Sequence, residues 1–181
     1  MKQTLVKIGL AICCAMAFCS CENKDQTAAG TADSKPAGAY LEFSFEVLNN
    51  EMSNLLDLSV EYYDADGTVK TEALTGKSWS KKVTATTLPA TLGFRVKAQL
   101  KAAVEGSSDV TLSFKYAYNG LATTKDGKQA GDIVSYSKNP VNVGFKTAKD
   151  FTDAVQSGAL NLPASKYTFN VAGVSTRADW E

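Results

Sequence analysis

The residues of this 181-residue chain that are best suited to covalent chemistry are four cysteines, Cys13, Cys14, Cys19 and Cys21, all near its start. A cysteine thiolate can attack a substrate, bind a metal ion, form a disulfide or carry a lipid. Removal of the first 20 residues would leave Cys21 alone. The rest of the chain is therefore predicted to have no disulfide, no zinc–thiolate site and no cysteine nucleophile.

Residues 1–20 have the layout of a secretory signal peptide. Two lysines lie near the start, an apolar run extends from Ile8 to Phe18, and the small residue Ser20 directly precedes Cys21. A charged segment, a short apolar segment and small residues at the cleavage point are the three parts of such a peptide. The apolar run is shorter than the roughly 20 residues that a transmembrane helix needs. We therefore predict that residues 1–20 are cleaved off.

The end of this leader resembles the lipobox of bacterial lipoproteins, in which a lipid is attached to the cysteine that becomes the first residue. Ser20 is the small residue expected directly before that cysteine, and Phe18 takes the apolar position three before it. The resemblance implies acyl chains, palmitate among them, on Cys21. Several acyl chains on one residue anchor a protein stably to a membrane that it does not cross. The alternative is an ordinary secretory signal followed by an incidental cysteine.

Composition narrows the classes of function. The chain has no histidine, and histidine is the commonest general base and the commonest metal ligand. We therefore expect neither enzyme activity nor a cofactor, and an enzyme that uses carboxylates alone is the least favoured alternative. Without the two lysines of the leader, 17 Lys and Arg stand against 19 Asp and Glu. No basic excess is left, which argues against nucleic acid as a partner.

The segments that must position any site are a tether and one domain. Residues 22–39 contain no large apolar side chain, so residues 21–39 are predicted to be a lipidated, flexible tether. In the domain, residues 40–181, apolar and polar residues alternate as in half-buried strands, most clearly in Leu41–Val47 and Phe94–Leu100. This pattern predicts an all-β fold, an antiparallel β-sandwich that is immunoglobulin-like and has seven to eight strands.

Three local patterns give more specific predictions. Apolar residues at helical spacing predict one short helix near residues 150–160, between two strands. Asn119-Gly120 is a turn signal. Separate strands are predicted near Ile133–Ser137 and Val141–Phe145.

Asp64-Ala65-Asp66-Gly67 is a candidate start of a calcium loop, because alternating acids present oxygens to a hard cation. A full loop needs an oxygen ligand at its fifth position and a glutamate at its twelfth. The chain has Thr68 and Thr75 there. A hairpin turn is therefore the favoured interpretation, with Asp64 and Asp66 as the alternative calcium candidate.

Trp79 and Tyr63 are the candidate ligand-binding residues. Trp79 lies among lysines and serines, and an exposed indole can stack on a sugar ring or on a partner protein. The alternative is that its ring covers an open edge of the core. Tyr63 follows Tyr62, and by alternation one of the two points inward while the other is exposed. Trp180 is expected to belong to a frayed end, and the alternative is that it packs back on the domain.

Leader, tether and domain together resemble the small lipoproteins abundant in the Bacteroidetes. The stretches that carry the resemblance within the domain are Val60–Lys70, Ser78–Lys81 and Leu88–Thr91. The resemblance implies a β-sandwich without a known activity. Glu22 and Asp25 partly match the acidic residues that favour export to the outer surface in those bacteria.

The sequence thus predicts a lipid-anchored protein of the cell envelope, on the periplasmic or the surface face of the outer membrane. Its domain is predicted to be a non-catalytic binding or structural module. Two alternatives are a carbohydrate-binding module that uses exposed aromatics and a fimbrillin-like subunit of a surface fibre. The expected partners are the membrane, through the lipid on Cys21, and a glycan or an envelope protein.

Overall fold

The computed structural model describes residues 34–102, 104 and 109–180. The predicted lipidation site, Cys21, and most of the predicted tether lie outside these residues. The helices and strands of the described part are β1 (Gly38–Val47), α1 (Asn50–Leu55), β2 (Leu56–Tyr63), β3 (Val69–Ala73), β4 (Ser78–Ala85), β5 (Ala90–Leu100), β6 (Val110–Thr123), β7 (Gln129–Phe145), α2 (Ala148–Gln156), β8 (Ala164–Phe169) and β9 (Ser175–Ala178).

The strands form two antiparallel sheets. Sheet 1 has the order β4-β1-β6-β7, and sheet 2 has the order β3-β2-β5-β8-β9. The predicted all-β antiparallel sandwich is confirmed. Its described part has nine strands rather than seven to eight, in sheets of four and five, where the seven-stranded immunoglobulin pattern has four and three. β1 begins two residues before the predicted start of the domain.

The core lies between the two sheets and is built from alternate residues of each strand. In β1, Leu41, Phe43 and Phe45 are fully buried, whereas Glu42 is exposed. Phe43 stacks across the sandwich on Phe94 of β5, with ring centroids 4.8 Å apart. Burial of each such ring contributes about 2–3 kcal/mol. The period-two pattern of the sequence therefore decides which face of each strand is buried.

The predicted turn at Asn119-Gly120 is wrong. β6 runs through both residues, and Gly120 pairs with Leu41 of β1. A Cβ atom on Gly120 would lie 2.6 Å from the carbonyl oxygen of Tyr40. The glycine therefore permits a close approach of two strands, which is the other common use of glycine within a sheet. The chain turns instead at Gly127, where φ is 81°.

The two strands predicted near Ile133–Ser137 and Val141–Phe145 are one continuous strand, β7. Pro140 lies between them, and proline usually interrupts a strand. Here it is tolerated because β7 is an edge strand. The register with β6 also shifts between Phe114 and Tyr116, where two residues of β7 lie opposite one of β6. This bulge takes up the proline without ending the strand.

The helix predicted near residues 150–160 is α2, which begins and ends a few residues earlier. Thr147 caps it, and the buried ring of Phe151 faces the core. The six-residue α1 was not predicted, because it is too short to show a helical period. Its cap is Asn49, whose Oδ1 accepts from the N–H of Met52 at 3.4 Å. Neither helix has the length and apolar character needed to cross a membrane, and the described part of the chain has no other helix.

Candidate functional site

Trp79 lies on the side of the sandwich where β4 of sheet 1 faces β3 of sheet 2. Its ring stacks on the buried Phe43, with centroids 5.2 Å apart. Its Nε1–H donates to Oε2 of Glu72 on β3 at 2.9 Å. Trp79 thus covers an open edge of the core, which is the alternative that the sequence offered for it.

Glu72 is the centre of a group that joins the two sheets, which we call the Glu72 cluster: Tyr62, Glu72, Trp79 and Lys81. The carboxylate of Glu72 accepts from the Tyr62 hydroxyl at 2.7 Å, from Trp79 and from the Lys81 ammonium. The bond from Lys81 is the largest cause that lowers the pKa of Glu72 to about 2. The same bond raises the pKa of Lys81. Each polar group of the cluster has a partner within it, so the cluster closes this edge of the fold.

Tyr63 lies on the outer face of sheet 2, whereas its neighbour Tyr62 is buried in the sandwich. The prediction that one of the two points inward is confirmed. The Tyr63 ring packs against Trp180, with centroids 4.9 Å apart. The guanidinium of Arg95 lies 4.7 Å from the centroid of the Trp180 ring. The expectation that Trp180 belongs to a frayed end is therefore wrong, because its ring packs on residues of β2 and β5.

A cleft of about 500 Å³ opens beside Tyr63, and we call it the Tyr63 cleft. It lies between the β2–β3 turn, the β4–β5 loop and strands β5 and β8. Its volume is within the range of small-molecule sites. The hydroxyls of Thr91 and Thr168 lie 3.1 Å apart across the β5–β8 pair. The side chains that give the cleft its chemistry are Tyr63, Asp66, Thr87, Thr91, Lys166 and Thr168.

Lys166 is the least expected residue of this cleft. It is only 8% exposed, and no ion pair joins it to an acid within the described residues. Its Nζ lies 5.8 Å from the centroid of the Tyr63 ring. Lysine is rarely buried to this extent without a counter-charge. The sequence does not single out Lys166, because nothing in its neighbours along the chain shows that its stem is buried.

The basic residues on the neighbouring strand are in a different situation. Arg95 and Lys97 of β5 both bond to Glu61 of β2, at 2.5 and 3.0 Å. Burial alone would raise the pKa of Glu61, but the bonds from Arg95 and Lys97 outweigh it, and the pKa is lowered. The outer face of sheet 2 therefore has paired charges beside the Tyr63 cleft.

The predicted hairpin turn at Asp64-Ala65-Asp66-Gly67 is present between β2 and β3. Oδ1 of Asp64 accepts from the N–H of Ala65, and Oδ1 of Asp66 accepts from both the N–H and the hydroxyl of Thr68. The bonds from Thr68 lower the pKa of Asp66. These carboxylates stabilise the turn. Across the part of the chain that the structure describes, no three His, Cys, Asp or Glu side chains are grouped to bind a metal ion.

A second aromatic cluster lies on the opposite open side of the sandwich. Tyr136 of β7 stacks on Tyr116 and Tyr118 of β6, with centroids 5.3 and 5.8 Å apart. The hydroxyls of Tyr118 and Tyr167 lie 2.8 Å apart. Burial raises the pKa of both Tyr116 and Tyr167 to about 12. Alternation places Tyr116 and Tyr118 on one face. The register of β7 brings Tyr136 to them, and the packing of the two sheets brings Tyr167 to Tyr118.

No known protein family, curated protein or solved structure matches this chain. What the chain does is therefore inferred from its own residues. Among the predicted site residues, Tyr63 and Asp66 line one cleft, whereas Trp79 belongs to the Glu72 cluster. Cys21 lies outside the described residues.

Proposed function

We propose that this chain is a lipid-anchored protein of the bacterial cell envelope whose β-sandwich is a non-catalytic binding module. The anchor is a lipid on Cys21, supported by the lipobox-like end of residues 1–20. The module binds its ligand in the Tyr63 cleft. The observation that carries the proposal is this polar cleft of about 500 Å³ with an aromatic ring at its wall.

The cleft is better suited to binding than to catalysis. A general acid needs a raised pKa, as burial or a neighbouring negative charge provides. The pKa of Asp66 is instead lowered by the bonds from Thr68. Its carboxylate therefore stays ionised, and one of its oxygens already accepts two hydrogen bonds from Thr68. The chain also lacks histidine. Side chains that donate hydrogen bonds and an aromatic face are left, and these groups hold a ligand without transforming it.

Carbohydrate is the ligand class that the cleft favours. The half-buried Tyr63 offers an aromatic body with a polar tip, and such rings pack on sugar faces. The Thr91 and Thr168 hydroxyls and the Lys166 ammonium supply hydrogen-bond donors. Trp79 is not a candidate for this site, because its ring stacks on Phe43 and its N–H donates to Glu72.

The anchor is tested by metabolic labelling of the full chain with a palmitate analogue in a Gram-negative host. We expect incorporation into the wild-type chain and into the Cys19→Ser control, whose substitution lies in the cleaved leader. We expect none in Cys21→Ser. Equal labelling of Cys21→Ser and the control would rule out this anchor.

Binding is tested on a glycan array with the mature chain, residues 21–181, carrying Cys21→Ser so that it is purified without lipid. We expect at least one glycan to be retained, and its binding to be lost in Tyr63→Ala and preserved in Trp79→Phe. Binding that survives Tyr63→Ala unchanged would remove the Tyr63 cleft as the site.

A further inference from the structure

Lys166 is held in its buried position by small neighbours on both sides. It pairs with Gly93 of β5 and with Ala178 of β9. A Cβ atom on Gly93 would lie 2.8 Å from Cα of Lys166 and 3.1 Å from its Cβ. Glycine at this position therefore leaves the room in which the lysine stem packs. The lysine is part of the built wall of the Tyr63 cleft and not a mobile surface residue.

Among the residues that the structure describes, no acid forms an ion pair with the ammonium of Lys166. The stem of Lys166 is buried, but its Nζ is not one of the buried polar atoms that lack a partner, so the ammonium is reached by solvent from the cleft that it lines. Other lysines of the chain have an acidic partner: Lys81 pairs with Glu72, and Lys97 pairs with Glu61. For Lys166, the ring of Tyr63 at 5.8 Å offers only partial compensation. A negative group on a ligand, placed within bonding distance of Nζ, would give Lys166 the ion-pair partner that it lacks among the described residues.

The Glu72 cluster shows, within the same molecule, what such a partner would do. There a tyrosine, a tryptophan and a lysine surround one carboxylate. On the outer face of sheet 2, Tyr63 contacts the same two residue types, Trp180 and Lys166, and Asp66, the acid that lines the Tyr63 cleft, forms no ion pair with Lys166. The Nε1–H of Trp180 is buried and has no acceptor in the described part of the chain.

The hydroxyls of the cleft add a donor beside the ammonium. Thr91 and Thr168 share one hydrogen bond, so one hydroxyl donates to the other and the second keeps its proton free to donate to a ligand. Asp66, in the β2–β3 turn that borders the cleft, carries a negative charge. A ligand with one anionic group is therefore oriented, with that group toward Lys166 and its neutral hydroxyls toward Asp66.

We infer that the Tyr63 cleft binds a saccharide that carries a carboxylate or a sulfate group, with Lys166 as its counter-charge and Tyr63 as its stacking face. This inference rests on the proposed function of the domain as a binding module. It names the chemical class of the ligand and the residue that selects it.

The test is calorimetric titration of the mature Cys21→Ser chain with three matched oligosaccharides: a neutral one, its carboxylated counterpart and its sulfated counterpart. We expect an anionic member to bind about tenfold more tightly than the neutral one, the effect of a charged hydrogen bond. The preference should weaken as salt is raised. Preference for the carboxylated or for the sulfated member tells which of the two groups the cleft takes.

Three variants separate a site from a general charge effect. Lys166→Met should remove the preference, and Lys166→Arg should keep part of it. Lys115→Met removes a lysine that pairs with Glu46 on sheet 1 and should leave the preference intact. If Lys166→Met does not fold, the salt dependence and the Lys166→Arg variant carry the test.

Two results would overturn the inference, and they differ in what they say of the proposed function. Equal binding of neutral and anionic members, unaffected by Lys166→Met, overturns the inference and leaves the binding module standing. No binding of any saccharide overturns the inference together with the carbohydrate function.

Discussion

The Glu72 cluster and the Tyr63 cleft start from adjacent residues, Tyr62 and Tyr63, and use the same residue types on opposite faces of sheet 2. In the cluster, the carboxylate of Glu72 satisfies a tyrosine, a tryptophan and a lysine at once. Beside the cleft, the ring of Tyr63 contacts Trp180 and lies near the ammonium of Lys166, and no acid of the described residues, Asp66 included, forms an ion pair with Lys166.

The difference teaches which aromatic residues are available to a ligand. An aromatic residue beside a satisfied ion pair stabilises the fold, because its ring and its polar atom are already used. An aromatic residue beside an unsatisfied cation borders a place where something else can bind. Trp79 and Tyr63 are equal candidates in the sequence, and the structure separates them because a carboxylate bonds to the side chain of Trp79.

The largest expected effect is the loss of Trp79. Trp79→Ala removes the stack on Phe43 and one bond to Glu72, so we expect the free energy of unfolding to fall by about 3 kcal/mol. Urea denaturation measures it. Saccharide affinity should stay unchanged when measured well below the melting temperature. A stable variant with lost affinity would reverse the roles that we assign to the cluster and the cleft.

A smaller loss of stability is expected at low pH, where Glu72 becomes protonated. The pKa of Glu72 is about 2 in the folded chain, below its usual value of 4.5. A lowered folded-state pKa means that the ionised carboxylate stabilises the fold above pH 4.5 and that this contribution is lost as the pH falls from 4.5 toward 2. Because the side chain is 39% exposed, screening reduces the contribution to about 1 kcal/mol.

The measurement for Glu72 is the pH dependence of unfolding in the wild-type chain and in Glu72→Gln. Other carboxylates titrate in the same range, so the difference between the two curves is the informative quantity. We expect the difference in the free energy of unfolding between the wild-type chain and Glu72→Gln to become smaller as the pH falls from 4.5 to 2. A difference that is constant across this window would show that the carboxylate charge of Glu72 contributes nothing to stability.

The smallest expected effect is a gain in stability, from substitution of Lys166. Lys166→Met keeps an apolar stem in place and removes an ammonium that has no ion-pair partner in the described part of the chain, so we expect the free energy of unfolding to rise by up to about 0.5 kcal/mol. The matched variant Lys81→Met breaks the pair with Glu72 and should lower stability. Thermal unfolding of the two variants compares them directly. A fall in stability for both would mean that Lys166 is as well compensated as Lys81.

The architecture could be predicted from the sequence because it depends on a local pattern. Alternation along β1 and β5 shows which residues face the core, and the same rule separates Tyr62 from Tyr63. Glycine and proline are less reliable signs of turns and of strand ends. Gly120 allows a close contact between strands and Pro140 lies in a bulged edge strand, and both uses depend on neighbours that are distant in the chain.

The sites could be predicted only in part, for the same reason. The sequence predicts the position of Tyr63 from its neighbour Tyr62, but the acid that accepts from the N–H of Trp79 lies on another strand. The burial of Lys166 depends on Gly93 and Ala178 in the two flanking strands. The partner of Trp79 and the burial of Lys166 both depend on how strands distant in the chain are placed beside each other, and a single sequence does not show that placement.

The most direct test of this comparison is to supply the missing acid from the protein itself. Ala178 lies beside Lys166 in the β8–β9 pair and lines the cleft, and opposite charges at such paired positions attract. Ala178→Glu should therefore bind anionic saccharides about tenfold more weakly than the neutral control Ala178→Gln, with no loss of stability. Equal affinity in the two variants would contradict the view that the Tyr63 cleft is an ion-pair cluster that takes its acid from a ligand.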